Sequence, residues 1–375
     1  MNKSKIDNLR WCTNCLAMST RPRITFDERG WCSACCWMER KLSLDWNGRL
    51  RTLDKILDLN RREDGRFDCI VPVSGGKDGS YVAYRLKHDY GMNPLCVTVT
   101  PPTPLEIGEK NLRSFVEAGY AHISVHVPSK ALRELNLVGL KEMGFPYFGW
   151  LMAVHTVPLI IAKNFDIDLI FYGEDGEVEY GGTTETEDSP FYDISYMKRI
   201  YLEGGYNSVL SQASISNNDR YFFMLSEESI SSWESIKLTH FSHFENWDPY
   251  RNYIVAKEKC GFAESQITNL GTFTNYSQND QALYALHTYL MYLKYGFGRA
   301  NQDACIEIRR GAMTRSQALG LVELYDGDYP KEYLAEYLEY FHLDESEFNS
   351  IIDKWANKDI FEKRNGYWRP LFRIA

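Results

Sequence analysis

No apolar run in the 375-residue chain approaches membrane-spanning length. The longest candidate, around Trp150 to Ala162, is interrupted by His155 and Pro158. The opening segment MNKSKIDNLR lacks the apolar stretch that marks an export signal. Both gaps point to a cytoplasmic protein, and 44% hydrophobic against 25% charged residues suits a soluble globular one. Basic residues are outnumbered as well: 42 Lys and Arg stand against 51 Asp and Glu, a net charge of −9. That balance disfavours broad contact with nucleic acid. The phosphate-binding pattern G-x-x-x-x-G-K followed by Ser or Thr is missing. No cysteine lies between Cys96 and Cys260, and none sits in a local glutaminase signature.

What the chain does contain is concentrated in two short stretches. The first runs from Phe67 to Ser80, FDCIVPVSGGKDGS. Its apolar, β-branched start reads as a strand buried on both faces. Gly75 and Gly76 then permit a tight turn and close approach by a ligand. A helix expected to begin near Gly79 presents unpaired N–H groups to that turn, and phosphate is their natural guest. Lys77 adds a positive charge, and Asp78 is an oxygen donor for a metal ion or water beside the phosphate.

The second stretch holds five of the nine cysteines. Cys12-x-x-Cys15 and Cys32-x-x-Cys35 have the spacing of two knuckles that give four thiolates to one tetrahedral zinc. Arg23 to Phe26 reads as a strand and Asp27 to Gly30 as a turn within a small ribbon. Disulfides are the competing reading, and a reducing compartment opposes them. Cys36 is spare. Four thiolates leave no open position, so such a zinc holds the fold and does no chemistry.

Between and beyond these stretches the chain alternates strand and helix. Strands are expected at Leu95 to Pro102, Ala121 to Pro128 and Asp168 to Gly176, with helices at Tyr81 to Asp89, Leu112 to Ala118 and Gly149 to Asn164. This pattern implies a parallel, doubly wound α/β sheet, with ligands at the carboxyl ends of its strands. Ser74 to Asp78, Thr98 to Thr100, and Gly173, Glu174 and Asp175 fall at those ends. No further strand is read after the fourth. From about Tyr192 the chain becomes rich in Tyr, Phe and Ser and then helical, through Leu283 to Tyr295 and a helical tail. The expected units are 1–60, a zinc ribbon with a linker helix; 61–230, the α/β domain; and 231–375, a mainly helical substrate- and partner-binding region. Lys294, Arg299, Arg309, Arg310 and Arg315 bunch near the end, either as solvated side chains or as a diphosphate-binding face.

Ser74, Gly75, Gly76 and Asp78 resemble the Ser-Gly-Gly-x-Asp-Ser signature of the PP-loop ATP pyrophosphatase superfamily, with Gly79 where the family usually has Ser and Ser80 one place later. The resemblance implies cleavage of ATP between its α and β phosphates and an adenylated substrate. The ribbon, the SGGKDG loop, GTFTNYSQ and KYGFGRA…IEIRRG occur in this order. Together they closely resemble the N-acetyl sugar amidotransferases of bacterial surface-polysaccharide biosynthesis. Such enzymes convert an acetamido group of a nucleotide-linked sugar to acetamidino, for O-antigen lipopolysaccharide or related glycans. The resemblance implies ATP and magnesium at Val73, Ser74, Gly75, Gly76, Lys77, Asp78, Gly79, Ser80, Thr100 and Gly173, with Asp78 holding the magnesium. Lys77, Asp78 and Glu174 would be catalytic, and Arg299 and Arg309 would bind a nucleotide-linked diacetamido sugar. It also implies partners similar to the glutaminase and cyclase subunits of imidazole glycerol phosphate synthase, which would supply ammonia. A tRNA-thiolating PP-loop enzyme and a non-catalytic PP-loop scaffold are the alternatives.

Overall fold

A computed structural model describes Ile6 and residues 8–374. Residues 1–5 and 7, part of the segment read for an export signal, lie outside the described residues. Strands β1 (Cys69–Pro72), β2 (Pro94–Val99), β3 (His122–Val125), β4 (Leu169–Tyr172) and β5 (Lys237–His240) form one sheet. Every pairing is parallel, and the order is β3-β2-β1-β4-β5. The main helices are α1 (Ser33–Lys41), α2 (Trp46–Asn60), α3 (Lys77–Tyr84), α4 (Glu106–Glu117), α5 (Ser129–Met143) and α6 (Phe148–Asn164). They continue as α7 (Pro249–Cys260), α8 (Leu283–Tyr295), α9 (Arg299–Arg309), α10 (Arg315–Tyr325), α11 (Leu334–Phe341) and α12 (Glu345–Trp355).

Successive strand residues enter opposite faces, as the pleat requires. Cys69, Val71, Cys96, Leu169 and Phe171 join one buried cluster, with Leu53, Ile56 and Leu57 of α2 and Tyr81 and Val82 of α3. Ile70, Leu95, Val97, Ile170 and Leu238 join the other, with α5, α6 and the apolar faces of α8, α11 and α12. Helices on both faces of a parallel sheet make the doubly wound architecture expected from the sequence. The chain builds outward from β1 to β3, then returns to place β4 on the other side of β1. The crevice between the carboxyl ends of β1 and β4 is therefore the topological switch point.

Three local expectations need correction. The sheet has a fifth strand, so the α/β layer continues past position 230. Lys237-Leu238-Thr239-His240 has one aliphatic residue and no alternation, and only its backbone pairing to β4 makes it a strand. Arg23 to Phe26 is not a strand: Arg23 has a φ of 63°, and the ribbon is held by isolated bridges, Trp11 to Met18 and Phe26 to Cys32. The tail is not wholly helical. It ends in a hairpin of β6 (Phe361–Arg364) and β7 (Tyr367–Pro370), turned by Asn365 and Gly366 at φ 51° and 84°. Two positive φ angles in a two-residue loop are what an Asn-Gly pair favours.

Candidate active site and cysteine centre

β1 ends in a turn that its neighbours restrict to glycine. Gly75 has φ +82°, and a Cβ there would lie 2.4 Å from the backbone nitrogen of Leu112 in α4. Gly76 precedes α3 and gives it no side-chain cap, so the first-turn amides stay open to an anion. Lys77 pairs with Asp78, and Asp78 Oδ1 also accepts from Asn252 Nδ2 of α7 at 3.0 Å. Across the switch point, β4 leads into Gly173 and Glu174. A Cβ on Gly173 would sit 3.4 Å from that of Asp78, so this glycine lets the two loops approach. Glu174 accepts from the Tyr180 hydroxyl at 3.2 Å. Burial, and then the nearby Asp78 charge, push the Glu174 carboxyl above the usual range, with Lys77 opposing them.

A third wall comes from the chain before α8. Leu105 N–H donates to the Asp280 carbonyl at 3.1 Å, and Ala282 N–H to that of Thr103 at 2.9 Å. Gly108 allows this clasp, since a Cβ there would lie 2.5 Å from Asp280 Cα. The result is a cavity of about 300 Å³. Ser74 to Gly79 form one side and Tyr276 to Asp280 another, with Glu174, Tyr180, Tyr284 and Arg299 between them. Asp280 receives a hydrogen bond from Ser74, and burial pushes its carboxyl up to about 6. Arg299 Nε donates to Asp303 Oδ1 at 2.8 Å, and Asp303 also accepts from Thr272 at 2.6 Å and Thr274 at 3.2 Å. That anchored carboxylate fixes the arginine at the start of α9.

Of the residues expected here, Ser74, Gly75, Gly76, Lys77, Asp78, Gly79, Glu174 and Arg299 line the cavity, and Gly173 adjoins it. Val73, Ser80 and Thr100 do not line it. The Val73 carbonyl is taken by Thr98 Oγ1 at 2.6 Å, and Thr100 Oγ1 faces Ser124 Oγ at 3.2 Å. Ser80 is fully buried, with its hydroxyl unpartnered, so it does not replace a loop serine. Position 79 is crowded: a Cβ would meet the Pro72 carbonyl oxygen at 3.0 Å. Arg309 is also elsewhere, with Nη1 3.8 Å from Cys15 Sγ and Nη2 donating to the Glu179 carbonyl at 3.2 Å. The other bunched cations scatter: Lys294 donates to Met143 O, Arg310 pairs with Glu307, and Arg315 donates to Cys15 O. The sequence reading missed Asn252, Tyr180 and the Tyr276–Asp280 wall. The signal for that wall was a polar run, NYSQND, with no periodicity; it contains Gln278 at φ 56°.

The sulfurs of Cys12, Cys15, Cys32 and Cys35 all lie within 4.8 Å of one another and are buried. Cys12 to Cys35 is 3.7 Å and Cys15 to Cys32 is 3.6 Å. Disulfide sulfurs are about 2 Å apart, so none of these is paired. Backbone N–H groups of Cys32 and Ala17 point at Cys12 Sγ and Cys15 Sγ at 3.2 and 3.4 Å. Such an arrangement suits thiolates around a metal ion. Cys36 stands outside the cluster, against Asp27. The ribbon grips the turn after β4. Arg23 takes Glu177 with two hydrogen bonds of 2.8 and 2.7 Å, Trp37 and Lys41 donate to Glu179 at 2.9 and 2.6 Å, and Ser33 Oγ donates to Gly181 O at 3.0 Å.

Residues 270–374 match the family described as LPS biosynthesis protein WbpG-like, C-terminal domain. The carboxy-terminal stretch is WbpG-like. This WbpG-like stretch includes the Tyr276–Asp280 wall and Arg299 of the cavity. An uncharacterized protein of Methanocaldococcus jannaschii, MJ1599, is 32% identical over 89 residues, covering 24% of this chain and 32% of that one. The chain thus spans about a third of that relative's length. The U34-tRNA thiolase NcsA from Methanococcus maripaludis, solved with its 4Fe–4S cluster, aligns over 71% of this chain and 79% of its own. Its identity of 12% and TM-score of 0.31 make it a likeness too distant to carry over any property. Among the described residues, no helix is long and apolar enough to cross a membrane.

Proposed function

We propose that the chain is an ATP-dependent, AMP-forming amidotransferase that converts an acetamido group of a nucleotide-linked diacetamido sugar to acetamidino in surface-glycan biosynthesis. One observation carries this reading: the Ser-Gly-Gly-Lys-Asp loop and the WbpG-like stretch wall a single cavity. An amide carbonyl is a poor electrophile. Transfer of AMP to its oxygen makes a leaving group, ammonia attacks the carbon, and AMP departs to leave the amidine. Catalysis is then mainly positioning and charge neutralisation.

The open amides of Gly76 to Gly79 cradle the departing pyrophosphate, and Lys77 meets its charge. Asp78 and Glu174 are carboxylates that converge on one cavity, an oxygen donor set that fits magnesium, with Asp78 its holder. When bound, that ion neutralises phosphate charge. Glu174, with its raised affinity for protons, orients the ammonia or accepts its proton. Arg299 faces the sugar. Glutaminase and cyclase-like subunits would supply the ammonia. The cysteine centre would hold zinc. A tetrahedral ion with Zn–S bonds of about 2.3 Å sets its sulfurs about 3.8 Å apart, close to the two spacings here. Among the described residues no cysteine lines the cavity, which speaks against sulfur transfer there.

The test is AMP release from ATP with ammonium chloride across a panel of nucleotide-linked diacetamido sugars, with mass spectrometry of the sugar. A product about one mass unit lighter, formed together with AMP, is expected from replacing a carbonyl oxygen by NH. AMP formation that instead requires tRNA would overturn the reading.

A further inference from the structure

Behind Tyr180 lies a second cavity, of about 120 Å³. Three helices line both cavities, with neighbouring residues turned to either side: Tyr180 and Glu177 from the short helix after β4, Tyr284 and His287 from α8, Arg299 and Gln302 from α9. Residues three apart on a helix are neighbours on its surface, so the two cavities share a wall. Arg21 reaches into the second cavity from the ribbon, its guanidinium 5.9 Å from the Tyr180 ring.

Arg21 has no side-chain hydrogen bond or ion pair among the described residues, and its Nε is buried without a partner. The nearest acid, Glu177, is already engaged by both hydrogen bonds from Arg23. The other acid at this cavity, Glu203, is exposed. Lys294 lines the same space and adds a second positive charge. A half-buried guanidinium whose nearest carboxylate is already hydrogen-bonded by Arg23 is under-compensated, and its fork fits phosphate or carboxylate.

We propose that this second cavity is an anion subsite, in which Arg21 takes a phosphate or carboxylate of a sugar nucleotide. The inference rests on the reading of the first cavity as the amidotransferase centre, but its test does not need turnover. Calorimetric titration of the full chain would use UDP-N-acetylglucosamine, UDP-glucuronic acid and a non-hydrolysable ATP analogue as probes. Arg21→Met is expected to weaken the sugar nucleotides at least about tenfold, with the ATP analogue unchanged and Arg21→Lys intermediate. A loss for both sugar nucleotides identifies a phosphate as the anion, and a loss for the uronic acid alone identifies a carboxylate. Unchanged binding of both to Arg21→Met, or no binding of either to the native chain, overturns the proposal. Should Arg21→Met fail to fold, Arg21→Gln carries the same test. Sugar binding that depends on Arg21 without any amidine product would sink the amidotransferase reading and leave the subsite standing. Turnover with an unchanged sugar KM in Arg21→Met would do the reverse.

Discussion

Alanine at Gly75 is expected to damage the loop where alanine at Gly76 does not. At Gly75 the backbone sits at φ +82°, which costs a side-chain-bearing residue about 1–2 kcal/mol. The new Cβ would also lie 2.4 and 2.6 Å from the backbone nitrogen and Cα of Leu112. These are helix backbone atoms that cannot rotate away, so relief requires the loop or α4 to move, at about 1–3 kcal/mol. Together the two effects amount to about 2–5 kcal/mol, large for a single substitution. At Gly76 the dihedrals, φ −73° and ψ 170°, suit any residue, and a Cβ would meet only Ser74 Oγ at 3.3 Å. There the expected change in stability is within about 0.5 kcal/mol. Differential scanning calorimetry of both variants reads the stabilities, and titration with a non-hydrolysable ATP analogue reads the loop. Gly75→Ala should melt well below the native chain and bind the analogue at least about tenfold more weakly. If it melts with the native chain and keeps its nucleotide affinity, the loop is not clamped on α4 and the reasoning fails.

Glu174→Ala should lower amidine formation by at least about a hundredfold while ATP binding persists; near-native activity would remove Glu174 from the chemistry. Elemental analysis should find one zinc per chain, and stripping it should speed amide hydrogen exchange across 174–183, the turn that the ribbon holds. An iron–sulfur absorption spectrum, or unchanged exchange after stripping, would refute that. Asp280 has an ordinary value of 3.8 and is pushed up to about 6 in the fold. Because the folded value is the higher, its stabilising contribution is full below 3.8 and is lost as the pH rises through about 6. Asp280→Asn should therefore raise the melting temperature relative to the native chain at pH 8 more than at pH 4, and an equal shift at both values contradicts the burial argument.

The centre of the site was legible because its chemistry is local. Two glycines at a strand end and paired cysteines three positions apart announce themselves in a single window of sequence. The errors came from geometry that spans windows. Ser80 lies two residues beyond Asp78 on α3, about 200° around the helix, so one faces the cavity and the other its packing partners. Arg299 and Arg309 are the two ends of α9, about 15 Å apart along the axis, too far to serve one diphosphate. β5 is a strand only because β4 lies beside it, and the Tyr276–Asp280 wall is polar because it faces a cavity rather than a core. Neither fact is written in its own residues.

The ribbon emerges from the ribosome long before its seat is made. Leu16 O is held by Asn301 Nδ2 at 3.0 Å, Cys15 O by Arg315 Nε at 3.0 Å, and Thr20 Oγ1 donates to the Tyr295 carbonyl at 2.5 Å. Synthesis at about 5–20 residues per second leaves the four thiols roughly 15–60 s without that seat. A knuckle that takes up its ion in this interval is a finished block onto which α9 and α10 can fold. One that does not leaves four unprotected thiols beside a lengthening chain. With a metal ion in the centre, its supply during translation, more than after it, would then set the yield of native protein.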